Sequence, residues 1–276
     1  MKRLTRRQAL RLGFYGSLAG LGLDAFVIEP RWLQFERHEI PIKGLGKDLD
    51  GYRIALLSDV HYPYWIRKDQ MDRAAKLAMD FKPDAIVMPG DFIDSKAADH
   101  CPDMGPVFSG LRAPDGVLAT LGNHDHWCDP DGLNDEFAKH GVVNVENRPL
   151  VVSRGSARLA LTGVGDKWEG EINWEKALDV PENVPRIVLS HNPDVAEFTP
   201  EGARVDLMLS GHTHGGQVRV PFRGAIRLPS EFDNKYEMGL VEGPRHRVYV
   251  TRGVGCLRPV RFLCRPEVTG LVLRAA

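Results

Sequence analysis

Aspartate, histidine and asparagine recur where short apolar runs of this chain end. Arg53–Ser58 (RIALLS) leads into Asp59 and His61, and Ala85–Met88 (AIVM) leads into Gly90-Asp91-Phe92-Ile93-Asp94. Val117–Leu121 (VLATL) runs into Gly122-Asn123-His124-Asp125, Arg186–Leu189 (RIVL) into His191, and Asp206–Leu209 (DLML) into Gly211-His212-Thr213-His214. Such donors without cysteine form a borderline-hard set suited to Mn, Fe(II) or Zn. Asp59, His61, Asp91, Asn123, His191, His212 and His214 are too many for one tetrahedral ion. If Asp91 bridges, they divide into two four-ligand sets. Only two carboxylates then face two dications, and the remaining charge of about +2 favours an anionic ligand. Phosphate esters are the obvious class, since two ions about 3.5–4 Å apart can clamp the attacking and leaving oxygens of an in-line displacement.

Each piece alone is ordinary. A strand-end Asp commonly forms a turn or caps a helix, a buried His commonly just satisfies hydrogen bonds, and Gly90, Gly122 and Gly211 singly read as turns. The weight lies in the ordered set at five run ends. Continuous apolar runs bounded by polar turns suit strands buried on both faces. Further runs at Val142–Val145, Leu159–Gly163 and Arg247–Thr251 extend the series, with helices at Met71–Phe81 and Gly132–Lys139 between them. Strands alternating with helices predict an α/β layered sheet. In such sheets the carboxyl ends of the strands form the ligand crevice.

The chain has 276 residues, a length for one or two domains. Its 43% hydrophobic and 26% charged residues exclude disordered, collagen-like and disulfide-scaffold classes. A net charge of −1 argues against a dedicated nucleic-acid binder, and no RNA-binding signature stands out, so nucleic acid is not an expected partner. The neutral total hides an asymmetry. Lys2, Arg3, Arg6, Arg7 and Arg11 begin the chain without an acid, and residues 215–276 hold eleven Lys and Arg against five Asp and Glu. The basic ends suit anionic partners and the acidic middle suits cations. Cys101, Cys128, Cys256 and Cys264 contain no C-x-x-C pair. Free thiols are expected, although Cys256 and Cys264 could pair in an oxidising compartment.

Leu12–Leu23 (LGFYGSLAGLGL) is uncharged, glycine-rich and apolar. A membrane span needs roughly 20 such residues, whereas a shorter run suits the core of an export signal. Thr5-Arg6-Arg7-Gln8-Ala9-Leu10 resembles the twin-arginine export motif. Residues 1–30 are therefore expected to be a twin-arginine-like signal or, lacking a clear A-x-A cleavage site, a membrane anchor, with one catalytic domain over 31–276. The signal resemblance implies the twin-arginine export machinery as a partner and a cofactor loaded before transport.

The series D-x-H, G-D-x-x-D, G-N-H-D, a single His, then G-H-x-H resembles the calcineurin-like metallophosphoesterase superfamily. His191-Asn192-Pro193-Asp194, the run from Gly211 to Gln217 and Thr251-Arg252-Gly253-Val254-Gly255 are similar to the YaeI/YkuE-type phosphodiesterase branch, which has twin-arginine-like N-termini. The resemblance covers nearly the whole chain and implies a layered sandwich of two mixed sheets flanked by helices, with metals at the strand C-terminal ends. It implies that Asp59, His61, Asp91 and His214 hold one divalent ion (Mn, Zn or Fe) and Asp91, Asn123, His191 and His212 the other. It further implies hydrolysis by a hydroxide bridging the ions, without a covalent enzyme intermediate. His124 would protonate the leaving oxygen and Asp94 would orient it. A carboxylate on one ring nitrogen fixes the tautomer and favours the imidazolium that donation needs. Asp125 is open between a supporting role behind the ligands and a surface turn. Purple acid phosphatases have Tyr at the position of Asp94 and lack a His at that of His61, which sets that branch aside. His126 and Cys128 could touch metal or substrate but suit a structural role better. No function attaches to His38, His100, His140 or His246.

Arg219, Arg223, Arg227, Arg245, Arg247, Arg252, Arg258, Arg261 and Arg265 follow the last ligand. Arginine forks suit phosphates and lipid headgroups. Pro259-Val260-Arg261-Phe262-Leu263 mixes apolar and basic residues as an interfacial patch would, or as a strand alternating between core and solvent. The leading expectation is an exported or membrane-associated phosphodiesterase or phosphomonoesterase at the cell envelope, in the periplasm or on the outer face of the inner membrane. A second is a UDP-2,3-diacylglucosamine pyrophosphatase of lipid A synthesis, which would use a nucleotide-sugar lipid and need a domain facing the cytoplasm. A third, from another class, is a metal-binding module without turnover.

Overall fold

Two six-stranded mixed sheets stack face to face in the computed structural model, which describes residues 5–276. Lys2 and Arg3 of the basic start lie outside the described residues. The first sheet contains β1 (Gln34–Ile42), β2 (Arg53–Leu56), β3 (Ala85–Pro89), β4 (Val117–Thr120), β5 (Val142–Asn144) and the last strand, β14 (Glu267–Ala275). Their spatial order is β1-β14-β2-β3-β4-β5. Only the β14–β2 pairing is antiparallel. The second sheet contains β6 (Leu150–Arg154), β7 (Ala157–Gly163), β8 (Arg186–Leu189), β9 (Leu207–Ser210), β12 (Gly239–Glu242) and β13 (Arg247–Val250). It runs β12-β13-β9-β8-β7-β6, parallel in the middle and closed by an antiparallel strand at each edge. A two-stranded ribbon, β10 (Arg219–Val220) with β11 (Gly224–Ala225), stands apart.

The apolar runs follow from burial on both sides. Ile54, Leu56, Val87 and Leu118 pack between the sheets against Leu159, Leu161, Ile187, Leu189, Leu207 and Leu209. The alternate residues Ala55, Ile86, Met88 and Ala119 face outward onto a helical layer. That layer is α2 (Lys68–Asp80), α3 (Gly105–Gly110), α4 (Asn123–Cys128) and α5 (Pro130–His140). Phe92, Phe108 and Phe137 meet there edge to face, with ring centroids 5.1–5.7 Å apart. Such aromatic pairs add about 0.5–1.5 kcal/mol beyond the area they bury. On the far side, Val188, Met208, Val248 and Val250 pack against Val195, Ala196 and Ala177, the last on α6 (Trp174–Ala177). The four layers are thus helix, sheet, sheet, helix, the architecture that the resemblance implies.

Every strand and helix read from the sequence is present. Six strands, β1, β6, β10, β11, β12 and β14, were not expected. α1 (Arg6–Leu23) opens with a capping box between Thr5 and Gln8 and buries none of its residues. Helical structure continues without interruption to Arg31, giving 26 residues. At 1.5 Å per residue that is about 39 Å, long enough to cross a hydrocarbon core of about 30 Å. The base of this helix is fixed to the body. Ala25 O accepts from Arg261 N at 2.9 Å, and the buried Glu29 carboxylate accepts from the backbone of Leu263 at 2.9 Å and of Cys264.

Candidate metal centre

Five strands of the two sheets, β2, β3, β4, β8 and β9, end at one crevice, and the turns after them carry all seven expected ligands. Each of the seven is buried. The turns are sharp. Asp59, His61, Asp91, His212 and His214 all adopt positive φ, between 51° and 69°. Non-glycine residues rarely occupy this region, and each costs of order 1–3 kcal/mol unless its surroundings enforce it. Two glycines allow the close approach. A Cβ on Gly122 would lie 2.2 Å from Asp91 Oδ1, and one on Gly253 (φ +73°) would lie 2.6 Å from Asp59 Cβ.

The donor atoms converge in a chain. Asp59 Oδ1 lies 3.4 Å from His214 Nε2, which lies 3.0 Å from His61 Nε2. Asp91 Oδ2 is 3.4 Å from His61 Nε2 on one side and 3.1 Å from His191 Nε2 on the other. His191 Nε2 is in turn 3.2 Å from His212 Nδ1. Two clusters result, Asp59–His61–His214 and Asp91–His191–His212, with Asp91 touching both. Asn123 opens α4 and is buried, and its Oδ1 has no hydrogen-bond partner among the described residues. The same holds for Asp59 Oδ2. Buried acceptors without donors are costly, and both belong to residues of the expected ligand set. Oxygen and nitrogen lone pairs facing one another at 3 Å fit cations, not each other.

Backbone carbonyls fix the ring orientations. His191 Nδ1 donates to Pro89 O at 2.7 Å, which leaves Nε2 facing the cluster, and His212 Nε2 donates to Pro229 O at 3.0 Å, which leaves Nδ1 facing inward. Such outer hydrogen bonds set the tautomer of a metal-ligating histidine. Burial pulls His61 and His212 down to about 3 and His214 well below its ordinary value, so these rings are neutral. Burial works against charge on Asp91 too, but His191 and His61 outweigh it and hold its carboxyl well below the usual carboxylate range. For His191 burial is likewise outweighed, and contact with Asp91 pushes it up to about 10.

Asp125 is no surface turn. It is fully buried, and its carboxylate accepts from the backbone of Gly122, Asp91, Phe92 and Ile93 at 2.8–3.1 Å. Asp94 and His124 are half-buried and lie with His61 in a third cluster of potential donors. The His124 ring packs edge-on against His61, with centroids 4.7 Å apart. Neither His126 nor Cys128 joins these clusters. His246 is elsewhere, hydrogen-bonded to Thr199 Oγ1 at 2.9 Å.

Several neighbours of the centre were not read from the sequence. Trp127 and Trp168 stack with centroids 6.2 Å apart and an interplanar angle of 16°, both about half exposed. Trp127 flanks His124, and Trp168 stands edge-on to His212. Asp166 is fully buried after the end of β7 and accepts from Trp168 N at 2.8 Å. A strand-end Asp following a glycine is the same signal that marks Asp91. Arg261 departs from the solvent- or phosphate-facing role suggested for the arginine series. It is fully buried, with Nη2 3.4 Å from His214 Nδ1 and donating to Arg252 O and Gly255 O, and Nη1 donating to Cys264 O at 3.0 Å. Arg219 pairs with Glu237, and Arg252 with Glu36 and Glu267. All four cysteines are free.

The profile of the calcineurin-like phosphoesterase family matches residues 52–216. The chain is 34% identical to phosphodiesterase YaeI of Escherichia coli, over 89% of this chain and 90% of that one. It is 32% identical to the uncharacterized metallophosphoesterase YkuE of Bacillus subtilis, across 100% of this chain and 99% of that one. Identity to the UDP-2,3-diacylglucosamine pyrophosphatase LpxG of Chlamydia muridarum is 25%, over 87% and 89% of the two chains.

Proposed function

This chain belongs to the calcineurin-like phosphoesterase family, and on that premise we propose that it is a dinuclear phosphodiesterase working at the cell envelope. The observation that carries the reading is the position of one atom. Asp91 Oδ2 lies within 3.4 Å of a ring nitrogen in each of the two clusters, as a bridging carboxylate must. Asp59, His61, Asp91 and His214 hold one ion, and Asp91, Asn123, His191 and His212 hold the other. When bound, the pair supplies an activated water and neutralises charge developing on a phosphoryl group. Mn, Zn and Fe all suit these donors.

The remaining chemistry falls to the protein. His124 stands beside the His61 cluster, half-exposed, where its ring can hand a proton to a departing alkoxide. Asp94, in the same cluster, orients that ring. Asp125 holds the Asp91 turn rigid through its four backbone donors. Trp127 and Trp168 wall the crevice beside His124 and His212, and an apolar or aromatic leaving group rests against them. Residues 1–30, which hold nearly all of the N-terminal helix, serve as a twin-arginine-like signal or as an anchor, with 31–276 as the catalytic domain.

A second reading, cleavage of a UDP-2,3-diacylglucosamine-like pyrophosphate, draws support from the likeness to LpxG. It requires the domain to face the cytoplasm, so a topology fusion separates it from the first. The test of both against a metal-binding module without turnover is activity on bis-p-nitrophenyl phosphate. Metal-free protein supplied with Mn, Zn or Fe should hydrolyse it and lose the activity on chelation. No hydrolysis with any of these metals, in protein shown to carry two ions, overturns the phosphodiesterase assignment.

A further inference from the structure

A groove of about 600 Å³ borders the candidate metal centre. His212, Thr213 and His214 form one wall. Val218, Leu228, Pro229, Leu257 and Val260 make the rest largely apolar, with Arg227 and Arg258 beside them. Around it the surface is strongly apolar. Phe222 at the tip of the β10–β11 ribbon is fully exposed, and Ile226 and Leu263 are 61% and 50% exposed. Apolar side chains gathered on one face mark an interaction surface rather than the scattered exposure of an ordinary monomer.

The way this face is built says what it meets. Its loops are cross-linked by Phe262 N to Gln217 O at 2.8 Å, Arg219 N to Phe262 O at 3.0 Å, and the Gln217 amide to Arg258 O and Val260 O. The next residues of the same loop, Leu263 and Cys264, donate to Glu29, and Arg261 N donates to Ala25 O. The base of the helix long enough to cross a membrane is therefore hydrogen-bonded to the loop that frames the groove. Phe26, Val27 and Ile28 at that base are also exposed. Exposed Arg223, Arg227 and Arg258 stand among these apolar groups. Cations interleaved with exposed apolar side chains match an anionic bilayer interface, where each basic residue contributes about 1 kcal/mol.

We propose that this face docks on the anionic bilayer that holds the N-terminal helix, and that the groove takes one acyl chain of a lipid from it. Arg227 and Arg258 meet the lipid phosphate, and Phe222, Ile226 and Leu263 enter the interface. The proposal rests on the anchor reading of residues 6–31 but not on turnover, so it stands or falls separately from the metal assignment.

The test uses the full chain reconstituted in phosphatidylcholine vesicles with or without phosphatidylglycerol, in a Cys128→Ser background, the other three cysteines being buried. A polarity-sensitive fluorophore is attached at Phe222→Cys, at Leu228→Cys in the groove, or at Glu201→Cys as an exposed reference, and quenched with acyl-chain-brominated lipid. Quenching several-fold stronger at 222 and 228 than at 201 is expected. It should increase with phosphatidylglycerol and weaken at both positions in Arg227→Gln/Arg258→Gln. Equal quenching at all three positions overturns the docking, and quenching at 222 alone overturns lipid entry into the groove.

Discussion

The Asp125 carboxylate accepts the backbone N–H of Asp91 at 2.8 Å, so one buried aspartate holds in place another whose own carboxylate touches both histidine clusters. Three further backbone donors, at Gly122, Phe92 and Ile93, share the same carboxylate. Asp125→Ala leaves all four without an acceptor in a buried setting, and each such group costs about 1–3 kcal/mol. A loss of several kcal/mol in urea unfolding is expected, together with reduced metal content. Asp125→Asn, with one acceptor oxygen in place of two, should fall between wild type and Asp125→Ala.

The roles given to His124 and Asp91 separate in a measurement of metal content. His124→Ala should lower kcat by about 10²–10⁴-fold, the usual range for a general acid, while two ions per chain remain bound. Asp91→Asn should lower occupancy at both positions, because its carboxylate touches both clusters. Metal loss in His124→Ala would place His124 among the ligands instead.

The proposed function gives Trp168 a part in substrate binding. Trp168→Ala should raise KM for diesters with aromatic or apolar leaving groups and leave kcat nearly unchanged. An aromatic contact of the kind it offers is worth about 0.5–1.5 kcal/mol, or roughly two- to tenfold in KM. A fall in kcat without a change in KM would assign Trp168 to holding His212, whose ring it touches edge-on.

Glu146 makes stability depend on pH. Its Oε1 accepts from Leu121 N at 2.6 Å, yet burial pushes the carboxyl up to about 7, from 4.5. Between those values the unfolded chain is ionised while the folded chain still holds the proton, so stability falls as pH rises through that window. Glu146→Gln keeps the acceptor for Leu121 and removes the slope. Relative to wild type, the variant should gain stability at pH 8, by at most about 3 kcal/mol from the size of the shift, and gain none at pH 4. Equal pH dependence in both proteins would contradict this.

How much of this was legible follows from where each residue sits. The candidate ligands were visible because each follows a buried apolar strand, and both the run and its polar end are local signals. β14 was not, although its nine residues are almost all buried, because nothing within it marks its insertion between β1 and β2. β1 mixes charged residues with Pro41 and pairs with β14 alone, so its pattern is that of an edge and resembles a loop. Trp168 lies in a loop without periodicity, and its contact with His212 depends on a crossing that sequence spacing does not encode. Arg261 was read with its arginine neighbours, since composition cannot tell a guanidinium facing solvent from one enclosed by carbonyls.

That enclosure bears on the thiols beside it. Arg261 Nε donates to Cys256 Sγ at 3.2 Å, while its Nη1 sits 3.9 Å from Cys264 Sγ. Joining the two sulfurs would require displacing a cation that donates to Cys264 O, Arg252 O and Gly255 O and lies against the ring nitrogen of His214. In an oxidising milieu this pair of sulfurs is kept from cross-linking by an electrostatic wedge.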